Sequence, residues 1–141
     1  IGEHTFAGCG NLKKAVLPFR LKEIRKGTFQ WCRSLEEVVF PRELEVIRLS
    51  AFEGCESVRN IDLPEGVTSI EEGAFAGCRS LESIYIPDSV TEIGGGKGNG
   101  FLQTFGEYEE RHEKFTILCN AGSYAMRYAR TQQIRCANVQ Y

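Results

Sequence analysis

A single interval of 23 residues organises most of this chain. Four cysteines recur at that interval, and so do four phenylalanines, four aliphatic residues and all four prolines. The positions are Cys9, Cys32, Cys55 and Cys78; Phe6, Phe29, Phe52 and Phe75; Leu12, Leu35, Val58 and Leu81; and Pro18, Pro41, Pro64 and Pro87. A fixed period in this range is typical of solenoids, in which one repeat buries its apolar face only against the next. The sequence therefore predicts a stacked array.

Each repeat contains a short segment in which apolar and polar residues alternate before the proline. In the fourth repeat Ile84 and Ile86 fall on one face and Ser83 and Tyr85 on the other. This period of two is expected of a half-buried strand. Pro87 then ends the strand, because proline has no backbone N–H to donate. The array is thus predicted to carry a parallel sheet along one side.

The 23-residue pattern fails after Ile93, where residues 94–100 are rich in glycine. Beyond them, apolar residues recur at helical spacing, and Glu110 and Lys114 can pair at i, i+4. Residues 94–114 are therefore predicted to replace a regular turn with a helix, and a disordered insertion is the alternative. The stripe consists of Phe101, Phe105, Tyr108, His112 and Phe115.

Residues 115–141 depart from the repeat and are predicted to form a C-terminal cap. Residues 115–119 have the pattern of a strand, and residues 134–139 that of a closing strand. Between them, Ser123 is a suitable N-cap for a helix over residues 124–131. Such a unit would cover the last apolar face of the array.

The repeat resembles the bacterial BspA-type leucine-rich repeat, most clearly in residues 74–93, AFAGCRSLESIYIPDSVTEI. The resemblance spans residues 1–93, residues 121–129 are similar to the cap of such arrays, and residues 94–114 depart from the pattern. It implies an α/β solenoid: a right-handed superhelix with a parallel β-sheet face, short helical or 3₁₀ turns and a C-terminal α/β cap. It also implies a secreted or cell-surface bacterial protein of a family whose characterised members bind host matrix proteins or other cells.

The charge balance and hydropathy exclude two classes of partner. A net charge of −2, from 17 basic and 19 acidic residues, gives no basic excess for nucleic acid. No apolar run approaches the roughly 18 residues of a membrane span, so no membrane insertion is predicted. Residues 1–6 look like residues 70–75, which predicts that further turns precede Ile1. An open edge there could pair two copies of the chain.

Neither the cysteines nor the histidines form a convincing chemical site. Four of the six cysteines share one repeat position, and no C-x-x-C occurs, so a reduced buried ladder is predicted and no metal site. Cys119 and Cys136 could form a bridge on the cap strands or remain separate thiols. His4 and His112 lack nearby ligand or triad partners. We therefore predict no cofactor and no enzyme activity, with one weak alternative, a hydrolase using Glu107, Glu109, Glu110 and His112.

The remaining candidate site is the outward face of the parallel sheet. Its residues vary between repeats while the core positions repeat, as expected of a recognition scaffold. Tyr85 is the predicted anchor, because its ring is large and amphipathic. The hypothesis is adhesion to a host matrix or cell-surface protein, and the alternatives are an ordinary solvated sheet and a structural spacer for another domain. The candidate residues are Lys14, Val16, Glu37, Val39, Asn60, Asp62, Ser83 and Tyr85.

Overall fold

The computed structural model describes residues 1–94 and 115–139. The chain winds as a solenoid in which each strand pairs in parallel with a strand of a neighbouring turn, so the predicted fold class is confirmed. The front strands, which carry the candidate face, are β1 (Lys14–Val16), β3 (Glu37–Val39), β5 (Asn60–Asp62), β7 (Ser83–Tyr85), β9 (Thr116–Cys119) and β10 (Arg135–Asn138). The back strands are β2 (Glu23–Ile24), β4 (Val46–Ile47), β6 (Ser69–Ile70) and β8 (Glu92–Ile93).

The pairing register follows the sequence period. Lys14 lies opposite Glu37, and Asn60 lies opposite Ser83, each pair 23 residues apart. The next step is longer, because Ser83 lies opposite Thr116, 33 residues further on. The inward and outward alternation nevertheless continues across this step, so the longer connection between β8 and β9 leaves the front pairing intact.

The back strands form a sheet that the sequence did not reveal. The sequence pattern predicts no strand on that side of the turn. Instead, β2, β4, β6 and β8 pair in order, and their isoleucines form a buried row. Strands of two residues are too short to show a period of two, which is why the pattern was not recognisable. The row is Ile24, Ile47, Ile70 and Ile93.

The front strands pair in parallel as predicted, but they are divided between two sheets. In the described part of the chain β1 pairs with β3 alone, and the other sheet has the order β10–β9–β7–β5. The gap therefore lies between the second and third repeats. At this step Phe40 occupies the inward position that Leu63 and Ile86 fill in later repeats.

A column of phenylalanine rings runs through the turns. Successive ring centroids from Phe6 to Phe75 lie 5.5, 5.3 and 5.3 Å apart. The rings tilt by at most 11° between neighbours, a stacked arrangement within the favourable range of separations. Phe29, Phe52 and Phe75 are each no more than 1% exposed, whereas Phe6 is half-buried. These repeated phenylalanines therefore form the spine of the core.

The cysteines form a second internal row beside the rings. The Cys55 thiol donates a hydrogen bond of 3.2 Å to the carbonyl of Phe29 in the preceding turn, and Cys32 and Cys78 make the equivalent bonds. Burial raises the pKa of the Cys78 thiol to about 12, which keeps it protonated and able to donate. Cys32, Cys55 and Cys78 are buried as predicted, whereas Cys9, in the first of the described turns, is exposed.

The two cap cysteines are separate thiols. Cys119 is buried and Cys136 half-buried, and both are free. The register places Cys119 opposite Asn138 and Cys136 opposite Ile117. The two cysteines are therefore offset along their strands, and the alternative of a bridge is not realised.

Each turn from phenylalanine to cysteine has the predicted 3₁₀ pattern of hydrogen bonds. In the second repeat Cys32 N–H donates to Phe29 O at 3.1 Å, and Leu35 N–H then donates to Cys32 O at 3.2 Å. The turns need left-handed backbone at two positions. Gly54 occupies one of them at φ 75°, where a side chain would also collide with the ring of Trp31.

The cap is formed by β9, β10 and helix α1 (Tyr124–Thr131) between them. Ser123 caps the helix as predicted, because its hydroxyl accepts a hydrogen bond of 3.2 Å from Met126 N–H. Ala125, Met126, Tyr128 and Ala129 bury one side of the helix. The predicted insert helix and the glycine run beyond Gly94 lie outside the described residues. Within residues 1–94 and 115–139, no helix is long and apolar enough to cross a membrane.

Replacing Phe52 with leucine tests the phenylalanine column. The ring is 1% exposed and stacks on a neighbour at 5.3 Å on each side. We expect Phe52→Leu to lower the free energy of unfolding by about 1–2 kcal/mol, through lost volume and lost ring contacts. Urea denaturation followed by circular dichroism measures this quantity.

The matched control is Phe19→Leu, because Phe19 is 66% exposed. This change should stay within about 0.5 kcal/mol of the parent protein. Equal losses in the two variants would contradict a stabilising role for the column.

Candidate functional site

The predicted site residues lie on the front strands with their side chains directed outward. All are exposed except Ser83 and Tyr85, which are half-buried. Between each outward pair lies an inward residue of the core, such as Ile61 at 4% exposure and Ile84 at 0%. The structure brings together the first-repeat and second-repeat residues on β1 and β3, and the third-repeat and fourth-repeat residues on β5 and β7. The break between β3 and β5 divides the candidate face into two halves.

The half on β1 and β3 combines an ion pair with exposed apolar surface. Lys14 Nζ lies 3.0 Å from Glu37 Oε2, and both side chains are 58% exposed. Such an exposed pair contributes only about 0–1 kcal/mol to stability. The neighbouring pair, Val16 and Val39, is 66% and 41% exposed. Adjacent valines in open solvent give this half an apolar surface that a partner could cover.

The half on β5 and β7 is polar and acidic. Ser83 donates a hydrogen bond of 2.8 Å to Asn60 Oδ1 across the strands. Asp62 lies opposite Tyr85 in the register, and the Tyr85 hydroxyl donates a hydrogen bond of 2.8 Å to Glu65 Oε1. This contact fixes the orientation of the Tyr85 ring.

The surroundings of Tyr85 keep its hydroxyl protonated. Burial and the hydrogen bond to Glu65 raise the pKa of Tyr85 to about 12, and the negative charges of Glu65, Asp88 and Asp62 act in the same direction. Tyr85 is therefore a neutral donor at physiological pH, placed among three carboxylates. This arrangement suits recognition by hydrogen bonding and ring contact rather than nucleophilic chemistry.

The front face continues onto the cap, beyond the residues that the 23-residue pattern predicts. Thr116 and Leu118 point outward from β9, beyond Ser83 and Tyr85 in the same two columns. Arg135 and Ala137 extend these columns on β10. The alternation in residues 115–119 was a sufficient signal for the first pair, because the strand was predicted there. The 19-residue step from Thr116 to Arg135 broke the 23-residue interval and concealed the second pair.

The described residues offer no arrangement typical of catalysis or metal binding. Among them, no group of three or more His, Cys, Asp and Glu residues could hold a metal ion. An open depression of about 410 Å³ lies at the start of the back strands, with Lys22, Arg42, Glu43 and Glu45 in its lining. Its lining residues mix both charges and include no cysteine, serine or histidine. The alternative hydrolase residues, between positions 107 and 112, lie outside the described part of the chain.

The protonation of Tyr85 gives a direct test of this local geometry. Ultraviolet absorbance of tyrosinate, recorded for the parent and for Tyr85→Phe, isolates the titration of Tyr85 by difference. We expect a midpoint near pH 12, against about 10 for an unperturbed tyrosine. Because the folded-state pKa is raised, stability should be independent of this group below pH 10 and should fall as pH rises towards 12.

The matched variant is Glu65→Gln, which removes one charge beside the hydroxyl and leaves the ring in place. It should lower the pKa of Tyr85, although burial will keep the value above the unperturbed one. A midpoint near pH 10 in the parent protein would mean that the Tyr85–Glu65 contact does not form in solution.

The described geometry has counterparts among solved structures. Residues 1–97 match the family model described as BspA type leucine rich repeat region (6 copies). A leucine-rich cell surface protein from Faecalibacterium prausnitzii A2-165 is similar with a TM-score of 0.74 and 32% identity, over 92% of this chain and 31% of that one. The leucine-rich repeat protein of T. pallidum has a TM-score of 0.71 and 28% identity, over 84% of this chain and 50% of that one.

The chain spans half or less of the length of each of these two proteins. No curated protein matches it significantly. The family model covers well over half of the 141 residues. This coverage, together with the repeated turns and their parallel pairing, establishes that the chain belongs to the BspA-type leucine-rich repeat family.

Proposed function

We propose that this chain is a protein-binding module of a secreted or surface-displayed bacterial protein, and that its front face attaches to a host matrix or cell-surface protein. The observation that carries the proposal is the contrast between core and surface. The inward positions repeat from turn to turn as phenylalanine, cysteine and aliphatic residues, whereas the outward positions change in every repeat. A scaffold that preserves its packing while varying one face is suited to recognition.

Two local features favour the front face as the contact surface. Val16 and Val39 lie side by side on β1 and β3 and are 66% and 41% exposed. Tyr85 presents an oriented aromatic ring with its hydroxyl held by Glu65. Aromatic anchors and exposed apolar patches are typical of binding surfaces.

The area of the face limits the affinity that one copy can reach. Six strands about 4.8 Å apart and three residues of about 3.3 Å each give a surface of roughly 300 Å² before side chains are added. A stable interface needs roughly 800 Å² from each partner. We therefore expect weak binding by this chain alone, and useful adhesion through several copies or further repeats.

The surface location rests on the family and on a similar protein. The F. prausnitzii protein is described as a cell surface protein, and this chain is 32% identical to part of it. Display on a bacterial surface would place many copies of the front face side by side. That arrangement supplies the avidity that a small face requires.

A structural spacer is the second candidate, and one observation favours it. Four of the candidate residues make polar contacts with one another: Lys14 forms an ion pair with Glu37, and Ser83 forms a hydrogen bond with Asn60. A sheet face that only meets solvent would show such internal pairs. A spacer would hold another domain away from the cell and would tolerate changes at Val39 and Tyr85.

Binding to a panel of immobilised matrix proteins, including fibronectin and fibrinogen, separates these two functions. The test variant is Val39→Glu combined with Tyr85→Glu, which places a charge in each half of the front face. We expect it to weaken binding at least tenfold, because it removes apolar contact and introduces charges that must be desolvated. Surface plasmon resonance with densely immobilised ligand detects weak association through avidity.

The matched control is Asn11→Glu combined with Thr91→Glu, two exposed neutral positions outside the front strands. It adds the same number of charges and should bind as the parent does. Both variants should keep the circular dichroism spectrum of the parent. Equal binding by all three proteins, or no binding by any, would contradict adhesion through this face and favour the spacer.

A further inference from the structure

The front and back of the solenoid differ at the step between the second and third repeats. On the back, β4 pairs with β6, with Val46 opposite Ser69. On the front, β3 and β5 do not pair, although the 23-residue register would place Val38 opposite Ile61. The two turns are thus joined on one side and separated on the other.

Individual hydrogen bonds locate the separation. Each regular step has a backbone bond after the strand: Leu17 N–H donates to Val39 O at 3.1 Å, and Leu63 N–H donates to Tyr85 O at 3.3 Å. Among the described residues, the counterpart from Phe40 N–H to Asp62 O does not form.

A backbone hydrogen bond that precedes the strand in regular steps is also missing at this step. Glu36 N–H donates to Lys13 O at 2.8 Å, and Glu82 N–H donates to Arg59 O at 2.7 Å. The corresponding bond from Arg59 N–H to Glu36 O is absent from this part of the structure. Both ends of the β3–β5 step are therefore open, and we call this step the seam.

The side chain that differs at the seam is Phe40. The equivalent residues Leu17, Leu63 and Ile86 are 7%, 1% and 0% exposed, whereas Phe40 is only partly buried. Its ring lies edge-on against Phe52, with centroids 5.8 Å apart and an interplanar angle of 68°. A ring in a position that elsewhere holds an aliphatic side chain needs more room between turns, because a close-packed core does not absorb extra volume.

A second inward side chain at this step is more exposed than its equivalents in other repeats. Val38 is half-buried, although its equivalents Ala15, Ile61 and Ile84 are all buried. Solvent therefore reaches Val38 in β3 and also Phe40, the residue that follows the strand. On the side that faces β5, the backbone of β3 has no strand partner among the described residues.

We propose that Phe40 acts as a wedge that keeps the front of the solenoid open at the seam, so that the two halves of the candidate face can hinge about the continuous back sheet. Few backbone bonds cross the front of this step, and local opening is easiest where such bonds are few. The apolar half with Val16 and Val39 then moves as one unit, and the acidic half with Asp62 and Tyr85 as another. A partner that touches both halves must fix the angle between them.

This inference does not depend on whether the front face binds a protein. Opening of the seam can be followed by the rates at which backbone amides exchange with solvent. Hydrogen exchange measured by NMR gives this rate for each residue. In the parent protein the amides of Phe40 and Arg59 should exchange faster than their equivalents Leu63 and Glu82. In Phe40→Leu, the amides at positions 40 and 59 should slow by roughly tenfold relative to positions 63 and 82, because the missing bonds can form.

The comparison with positions 63 and 82 separates a local effect from a change in global stability, since global unfolding alters all four rates together. The reciprocal variant, Leu63→Phe, should open the next step and accelerate exchange at positions 63 and 82. If the rate at position 40 relative to position 63 is the same in the parent and in Phe40→Leu, Phe40 is not the wedge. If Phe40 and Leu63 exchange equally slowly in the parent, the seam is closed in solution and the proposal is overturned.

Discussion

Stacking of identical positions from one turn to the next is the interaction on which this molecule depends. The Phe29, Phe52 and Phe75 rings lie 5.3 Å apart. Beside them, the thiols of Cys32, Cys55 and Cys78 each donate a hydrogen bond to a phenylalanine carbonyl of the preceding turn. No single turn is large enough to bury these groups, so each turn is stabilised only by its neighbours. The core is consequently intolerant of change, and the variation between repeats is confined to the surface.

That division explains how a constant scaffold can present a specific face. Ile61 and Ile84 fill equivalent inward positions, while the outward residues beside them change from Asn60 and Asp62 to Ser83 and Tyr85. The surface chemistry therefore changes along the array, from exposed valines in the first two repeats to carboxylates around Tyr85 in the next two. The step at Phe40 lies between these two chemistries.

Periodicity made most of the fold predictable, and departures from it account for what was missed. The interval from Cys32 to Cys55 fixes the register, and Ser123 marks the start of the cap helix as expected. The back sheet was not predicted, because strands of two residues are too short to show a period of two. The open seam was not predicted, because phenylalanine and leucine both count as apolar residues in a sequence pattern. The difference in their side-chain volumes matters only once the turns pack. The outward residues were identified by alternation, but what they bind depends on a partner that the sequence does not contain.

The most direct test of the account is photocrosslinking from single positions on the molecule. A photoreactive amino acid at position 118, on the front strand β9, would be compared with one at the exposed position 91, outside the front strands. Each protein would be irradiated with a mixture of matrix proteins that includes fibronectin and fibrinogen. The account predicts crosslinked partner from position 118 and little or none from position 91. Crosslinking mainly from position 91, or equally from both, would contradict recognition by the front face.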